Sequence, residues 1–239
     1  MSTPAAARVA DLSERLRRLE TGGRPHWPRS LPLGVPGLEA LLPEGRLPAG
    51  VLVELLAAEP GCGVWTLALA LARAACTEGR GLLLVDPEGS FYPPAAWAWG
   101  IDLKRTVLVR PGSASAALTA LAQALRCSAL GLAVGWFDRI GSTDFRRLQL
   151  AAEASGTVGL LLRPAAARSA PSFAAVRLAL APLPSPGLGR RRVALEALHP
   201  WRERAGVGLV LEIDDETHHL CALARVAPAA AAARPSATG

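Results

Sequence analysis

Short, near-continuous apolar runs alternate along the chain with Ala- and Leu-rich stretches of helical period. The runs "VLVELLA" (51–57), "GLLLVDPE" (81–88), "RTVLVRP" (105–111), "LGLAVGWF" (130–137) and "TVGLLLRP" (157–164) carry few polar interruptions. Such runs predict strands buried on both faces of a sheet. Helices are predicted between them over 66–79, 93–101, 114–128 and 142–156, the last with a Ser/Thr/Asp start and Gly at its end. This alternation predicts an α/β fold: a mostly parallel twisted sheet flanked by helices. After 171 the texture changes. "AVRLALAPL", "RRRVALEAL" and "GVGLVLEID" follow one another with no helix between. They predict an antiparallel C-terminal extension of the same sheet, within one domain over 31–225.

Both ends differ from this core. Thr3 followed by Pro4 is a helix start. Val9, Leu12, Leu16 and Leu19 then follow at spacings of three and four, a narrow apolar stripe that should end at Gly22-Gly23. A Pro-rich linker (23–30) separates this predicted helix (1–22) from the core. The stripe either folds back on its own domain or docks on another protomer or partner. The tail 226–239, "VAPAAAAARPSATG", lacks core-forming residues and is expected to be disordered.

Composition narrows the function classes. The apolar stretch near 66–76 is broken by Arg73 and is too short to span a bilayer, and the first residues lack an apolar signal region. A cytoplasmic protein with no membrane partner is expected. Cys62, Cys76, Cys127 and Cys221 form no CxxC pair, and His218 and His219 are adjacent, so no metal site is expected. The chain of 239 residues has a net charge of +6, a prior for nucleic-acid contact. Lys104 is its only lysine, however, and an arginine excess of this kind accompanies Ala-, Gly- and Pro-rich composition without any functional cause.

One stretch raises a specific question. "AAEPGCGVWTLALALA" (57–72) joins a predicted strand to a predicted helix through a Gly-containing loop, the setting of a phosphate-binding loop. Such a loop needs a lysine for the β/γ-phosphates and a hydroxyl for magnesium. Matched on Gly63 with Gly61 in the loop, the first glycine becomes Ala58, the lysine Val64 and the hydroxyl Trp65, while Thr66 stands one place late.

Further residues carry a family resemblance. "LGVPGLEALLPEGRLPAGVLVELL" places Gly34, Leu38, Leu47-Pro48, Gly50 and Val53-Glu54 in the order found in the RecA family. "LLLVDPEGSFYP" (82–93) and "AVRL" (175–178) resemble two further RecA segments, and "RRLQLAAEASGTVGLLLRP" (146–164) resembles the ImuA family, RecA-like (also called SulA-like) proteins of bacterial mutagenesis cassettes. The resemblance implies a RecA-like core. It places Trp136 at the Walker B carboxylate, with Asp138 two residues on, and matches Glu88 to the water-activating glutamate. It also places the DNA-contacting loops at 138–142 and 165–172. Arg163 and Arg168 there, with Arg190, Arg191 and Arg192 of the "GRRR" turn, are candidates for weak contact with DNA phosphates. With the lysine, hydroxyl and Walker B carboxylate replaced, no catalysis and no nucleotide cofactor are expected. The resemblance implies a non-enzymatic accessory of damage-induced (SOS) error-prone translesion synthesis, partnered by RecA, by ImuB and, through ImuB, by an error-prone polymerase. Nucleoid association would follow from those partners, and homo-oligomerisation is open to it. Two alternatives stay open: a SulA-like division inhibitor acting on FtsZ, and a residual RecA-like ATPase or recombination mediator.

Overall fold

The computed structural model describes residues 30–31, 33–42, 45–77, 79–198 and 208–226. The predicted N-terminal helix with Val9, Leu12, Leu16 and Leu19, the linker up to residue 29, and the tail beyond 226 lie outside them.

Ser30–Leu31 (β1) and Leu47–Pro48 (β2) pair as a short antiparallel ribbon. Among the described residues the main sheet has nine strands. Its parallel part comprises β3 (Leu52–Ala57), β4 (Gly81–Val85), β5 (Thr106–Val109), β6 (Leu130–Trp136) and β7 (Val158–Pro164). Four helices connect or follow these strands: α1 (Val64–Ala75), α2 (Pro93–Ala98), α3 (Ala114–Ala124) and α4 (Ser142–Ser155). Strands β8 (Val176–Gly187), β9 (Arg190–Leu198), β10 (Gly208–Asp214) and β11 (His219–Val226) complete the sheet. The order is β11-β10-β9-β8-β3-β7-β6-β4-β5. Strand β8 still runs parallel to β3, and antiparallel pairing begins at β8–β9.

This is the expected α/β class with its antiparallel C-terminal extension. The short ribbon β1–β2 was not foreseen, and it takes in Ser30 of the expected linker; nor was one strand of the main sheet. β11 takes up residues 219–226, so Val226, assigned to the tail, pairs with Gly208. The polar "HHLC" beginning hides the strand, which lies at the sheet edge where one side of each ladder stays open. His218 is in the turn before it, at φ 52, and packs edge-on against Trp99 at 5.6 Å.

All six residues of β3 are buried, as a central strand covered on both faces requires. One face packs α1 through Leu67, Ala68 and Leu71 onto Leu55, Leu84 and Leu160. The other packs α3 and α4 through Leu121, Leu125, Phe145 and Leu148 onto Leu52 and Leu161. Close approach decides Gly131: a Cβ there would stand 2.1 Å from the backbone oxygen of Ala75.

A charged group lies inside this packing. Glu54, fully buried on β3, accepts from Arg163 Nη1 on β7 at 2.6 Å and from Arg177 Nε on β8 at 2.5 Å. Arg177 Nη2 also donates to the Ala167 carbonyl at 2.9 Å. One carboxylate thus ties together the three strands at the centre of the sheet, which matches the rule that buried charges occur paired. Arg163 is therefore corrected as a DNA contact. It is 2% exposed and points into the protein, because the alternation of β7 turns it toward Glu54.

Candidate functional site

The carboxyl ends of β3, β4 and β6 converge where an open α/β sheet places its ligand crevice. β3 ends at Ala57, whose neighbour Ala58 donates its N–H to the Leu180 carbonyl at 2.9 Å. The chain then turns through Gly61 and Gly63, at φ 79 and 86, and enters α1 at Val64. Gly63 is required twice over. Its backbone is left-handed, and an added Cβ would press at 3.0 Å on both Val193 and Ile213 of the antiparallel extension. The turn is thus seated on β9 and β10.

A cavity of about 250 Å³ opens at this point. Ala57, Val64 and Val85 form its buried base, and Trp65 and Trp136 stand half-buried beside them. Glu59, Asp86 and Glu88 supply three carboxylates, and among the described residues no Lys or Arg lines it. The structure therefore brings together Gly61, Val64, Trp65, Trp136 and Glu88, which the resemblance assigned to the loop, the Walker B position and the glutamate. Val64, at the lysine position, is 4% exposed and belongs to the hydrophobic core. Thr66 does not reach the cavity. Its hydroxyl faces Arg191 Nη2 at 3.5 Å. Asp138 is also turned away, accepting from Trp136 Nε1 at 2.9 Å.

Asp86 was missed by sequence reasoning. It is 2% exposed at the end of β4. Its carboxylate accepts from Ser90 N at 2.9 Å, Ser90 Oγ at 3.2 Å and Phe91 N at 3.1 Å, with Arg110 Nε at 3.9 Å. These bonds hold the 86–91 turn that carries Glu88. The signal was present in "DPEGS", an Asp followed by the turn formers Pro, Gly and Ser.

The remaining candidate DNA contacts lie apart from Arg163, and each is held by a carboxylate. Arg168 makes a two-pronged pair with Glu196, at 2.6 and 2.9 Å. Arg191 makes another with Asp215, at 2.5 and 2.8 Å. Arg190 and Arg192 both meet Glu212, at 3.3 and 3.0 Å. The hydrogen bonds that Arg168 and Arg191 donate to Glu196 and Asp215 raise the pKa of the two guanidiniums further. The positive charge that the "GRRR" turn suggested is thus largely matched by acids of β10 and the following turn.

No family model matches the chain. It is 28% identical to Protein ImuA of Caulobacter vibrioides over 222 residues, covering 84% of this chain and 89% of that protein. It is 31% identical to Protein RecA of Chlorobium limicola over 119 residues, covering half of this chain and 34% of RecA. The crystal structure of the RadB recombinase superposes with a TM-score of 0.61 at 20% identity, covering 81% of this chain and all of that one. The shared architecture is a mostly parallel sheet flanked by helices with antiparallel strands at its C-terminal end. The chain is thus similar to Protein ImuA over most of its length and has a RecA-like fold.

Proposed function

We propose that this protein is a non-enzymatic accessory of error-prone translesion DNA synthesis that works by binding proteins. The likeness to ImuA supports the process. The cavity at the end of β3 supports the absence of catalysis, and it is the observation that carries this reading. A magnesium triphosphate is recognised by a lysine, a hydroxyl and an acidic metal ligand acting as a unit. Here the corresponding positions hold Val64, Trp65 and Trp136, and the cavity is rimmed by Glu59, Asp86 and Glu88. A charge-assisted hydrogen bond to phosphate contributes about 1.5–3 kcal/mol of binding, and a site without these groups forfeits each of them. The carboxylates add repulsion toward phosphate.

Under this reading RecA and ImuB are direct partners and an error-prone polymerase is reached through ImuB. Contact with DNA is weak or indirect, since its candidate arginines are paired or buried. Two measurements test the proposal. Tryptophan fluorescence titrated with Mg-ATP should show no saturable change in the micromolar range. A saturable quench abolished by EDTA would make the site a functional variant phosphate loop. Purified RecA and ImuB should each be retained by the immobilised protein. Retention of FtsZ in their place would support the division-inhibitor reading.

A further inference from the structure

The outer face of α4 carries an open groove of about 840 Å³, separate from the cavity at the end of β3. Thr143, Arg147, Leu150 and Ala154 succeed one another along it at spacings of four, three and four, with Arg146 three residues after Thr143 and four before Leu150, so they form one stripe of the helix. Phe173, from the segment before β8, and Arg126, just after α3, close the two sides. The floor is apolar and open to solvent: Leu150 is 49% exposed and Phe173 42%.

The charged residues that line the groove have one sign among the described residues. Arg126, Arg146 and Arg147 line the groove, and no carboxylate does among the described residues. Arg147 meets Asp144 at 3.2 Å, but Arg146 is held, among the described residues, by the neutral Gln149, at 2.8 Å. Hydrophobic floor and cationic rim together match the helix-in-groove mode of recognition. The stripe from Thr143 to Ala154 is roughly 16 Å long at 1.5 Å per residue, about three turns of a docked helix.

We propose that this face docks an acidic amphipathic helix of another protein chain. The chain's own segments outside the described residues do not suit the groove. Residues 1–29 hold six arginines against Asp11, Glu14 and Glu20; residues 199–207 and the tail beyond 226 are also net basic. A second copy would bring the same basic segments. Single-stranded nucleic acid is the poorer fit, because it needs successive aromatic faces for stacking, and among the described residues Phe173 is the one aromatic that lines the groove. The groove's chemistry is the same whether or not the protein serves translesion synthesis, so its test and the tests above fail independently.

The probe is a fluorescent amphipathic peptide of about twelve residues, with leucines on one face and glutamates on the other. Three comparators accompany it: a version with lysine for every glutamate, a scrambled version, and an oligothymidylate. The full-length protein should bind the acidic peptide saturably and about tenfold or more tighter than the lysine or scrambled versions. Leu150→Asp should weaken binding by about tenfold, whereas Leu188→Ala, an exposed leucine on the β8–β9 turn, should leave it unchanged. The double variant Arg126→Glu/Arg146→Glu should reverse the preference toward the lysine peptide. These positions are exposed, and each variant should keep the folded circular dichroism spectrum of the parent. Equal affinity for the acidic and lysine peptides, no saturable binding, or oligothymidylate binding that these same variants abolish would overturn the proposal.

Discussion

Replacing Glu54 tests the centre of the sheet. The carboxylate is fully buried and is the acidic partner of two guanidiniums, of which Arg163 is 3% and Arg177 11% exposed at the side chain. Glu54→Gln keeps the shape and one carbonyl acceptor but removes the negative charge. Two buried cations then lie between β3, β7 and β8, left with the Ala167 carbonyl and a long 3.5 Å contact to the Asp138 carbonyl. Removing one partner of a buried ion pair costs about 3–5 kcal/mol. Glutamine should fall near the lower figure, and Glu54→Ala near the upper, since it also opens a void. In a chain of this size each kcal/mol lowers Tm by about 2–4 °C, so a fall of roughly 6–20 °C is expected. Urea unfolding followed by circular dichroism gives the free energy directly. A companion variant isolates the cause: Glu54→Leu/Arg163→Met/Arg177→Leu removes all three charges and should recover most of the loss, because well-packed apolar replacements of a buried triad are near neutral or better. A loss below about 1 kcal/mol for Glu54→Gln, or a triple variant as unstable as Glu54→Ala, would refute the view that uncompensated charge is what costs.

Val64→Lys should not create ATP binding and should destabilise the fold by on the order of 3 kcal/mol, read by urea unfolding, because it puts an ammonium into a core position; micromolar Mg-ATP binding by this variant would show that the lysine was the one missing part. Burial pushes the Cys76 thiol up to about 11, against a weaker opposing pull from Arg80. Its stabilising contribution is therefore complete below its ordinary value of 9.0 and is lost as pH rises from there through about 11, so Cys76→Ala should flatten the alkaline decline in stability over that window. At about pH 8, iodoacetamide should modify the exposed Cys127 before Cys76. Leu16→Asp, in the predicted N-terminal stripe, should lower the mass found by size-exclusion with light scattering while leaving the core's circular dichroism intact; an unchanged mass would assign the stripe to its own domain.

Local pattern decided much of this protein. An apolar run such as "VLVELLA" can be satisfied only as a strand covered on both faces, and its alternation with helical stretches leaves few arrangements besides a parallel sheet. The same reasoning located the turn at Gly61 and Gly63, because strand, glycine and helix are adjacent in the chain. It also set Val64 and Trp65 where a phosphate loop carries its lysine and hydroxyl, whereas Trp136 was matched to the Walker B position only through the family resemblance. What the sequence could not show is which side chains meet across the sheet. Glu54, Arg163 and Arg177 are separated by more than a hundred residues of chain from the first to the others. Arg163 in isolation reads as a surface cation; only the register that sets β7 and β8 on either side of β3 turns it inward. The arginines of 190–192 likewise read as a basic patch until β10 brings Glu212 and its neighbours alongside. The face of α4 that bears Arg146 and Leu150 is left open by the way the sheet claims Phe145 and Leu148. Periodicity is a property of neighbouring residues and is written in the chain. Charge pairing and exposure depend on long-range pairing, so they exist only once the strands have found their order.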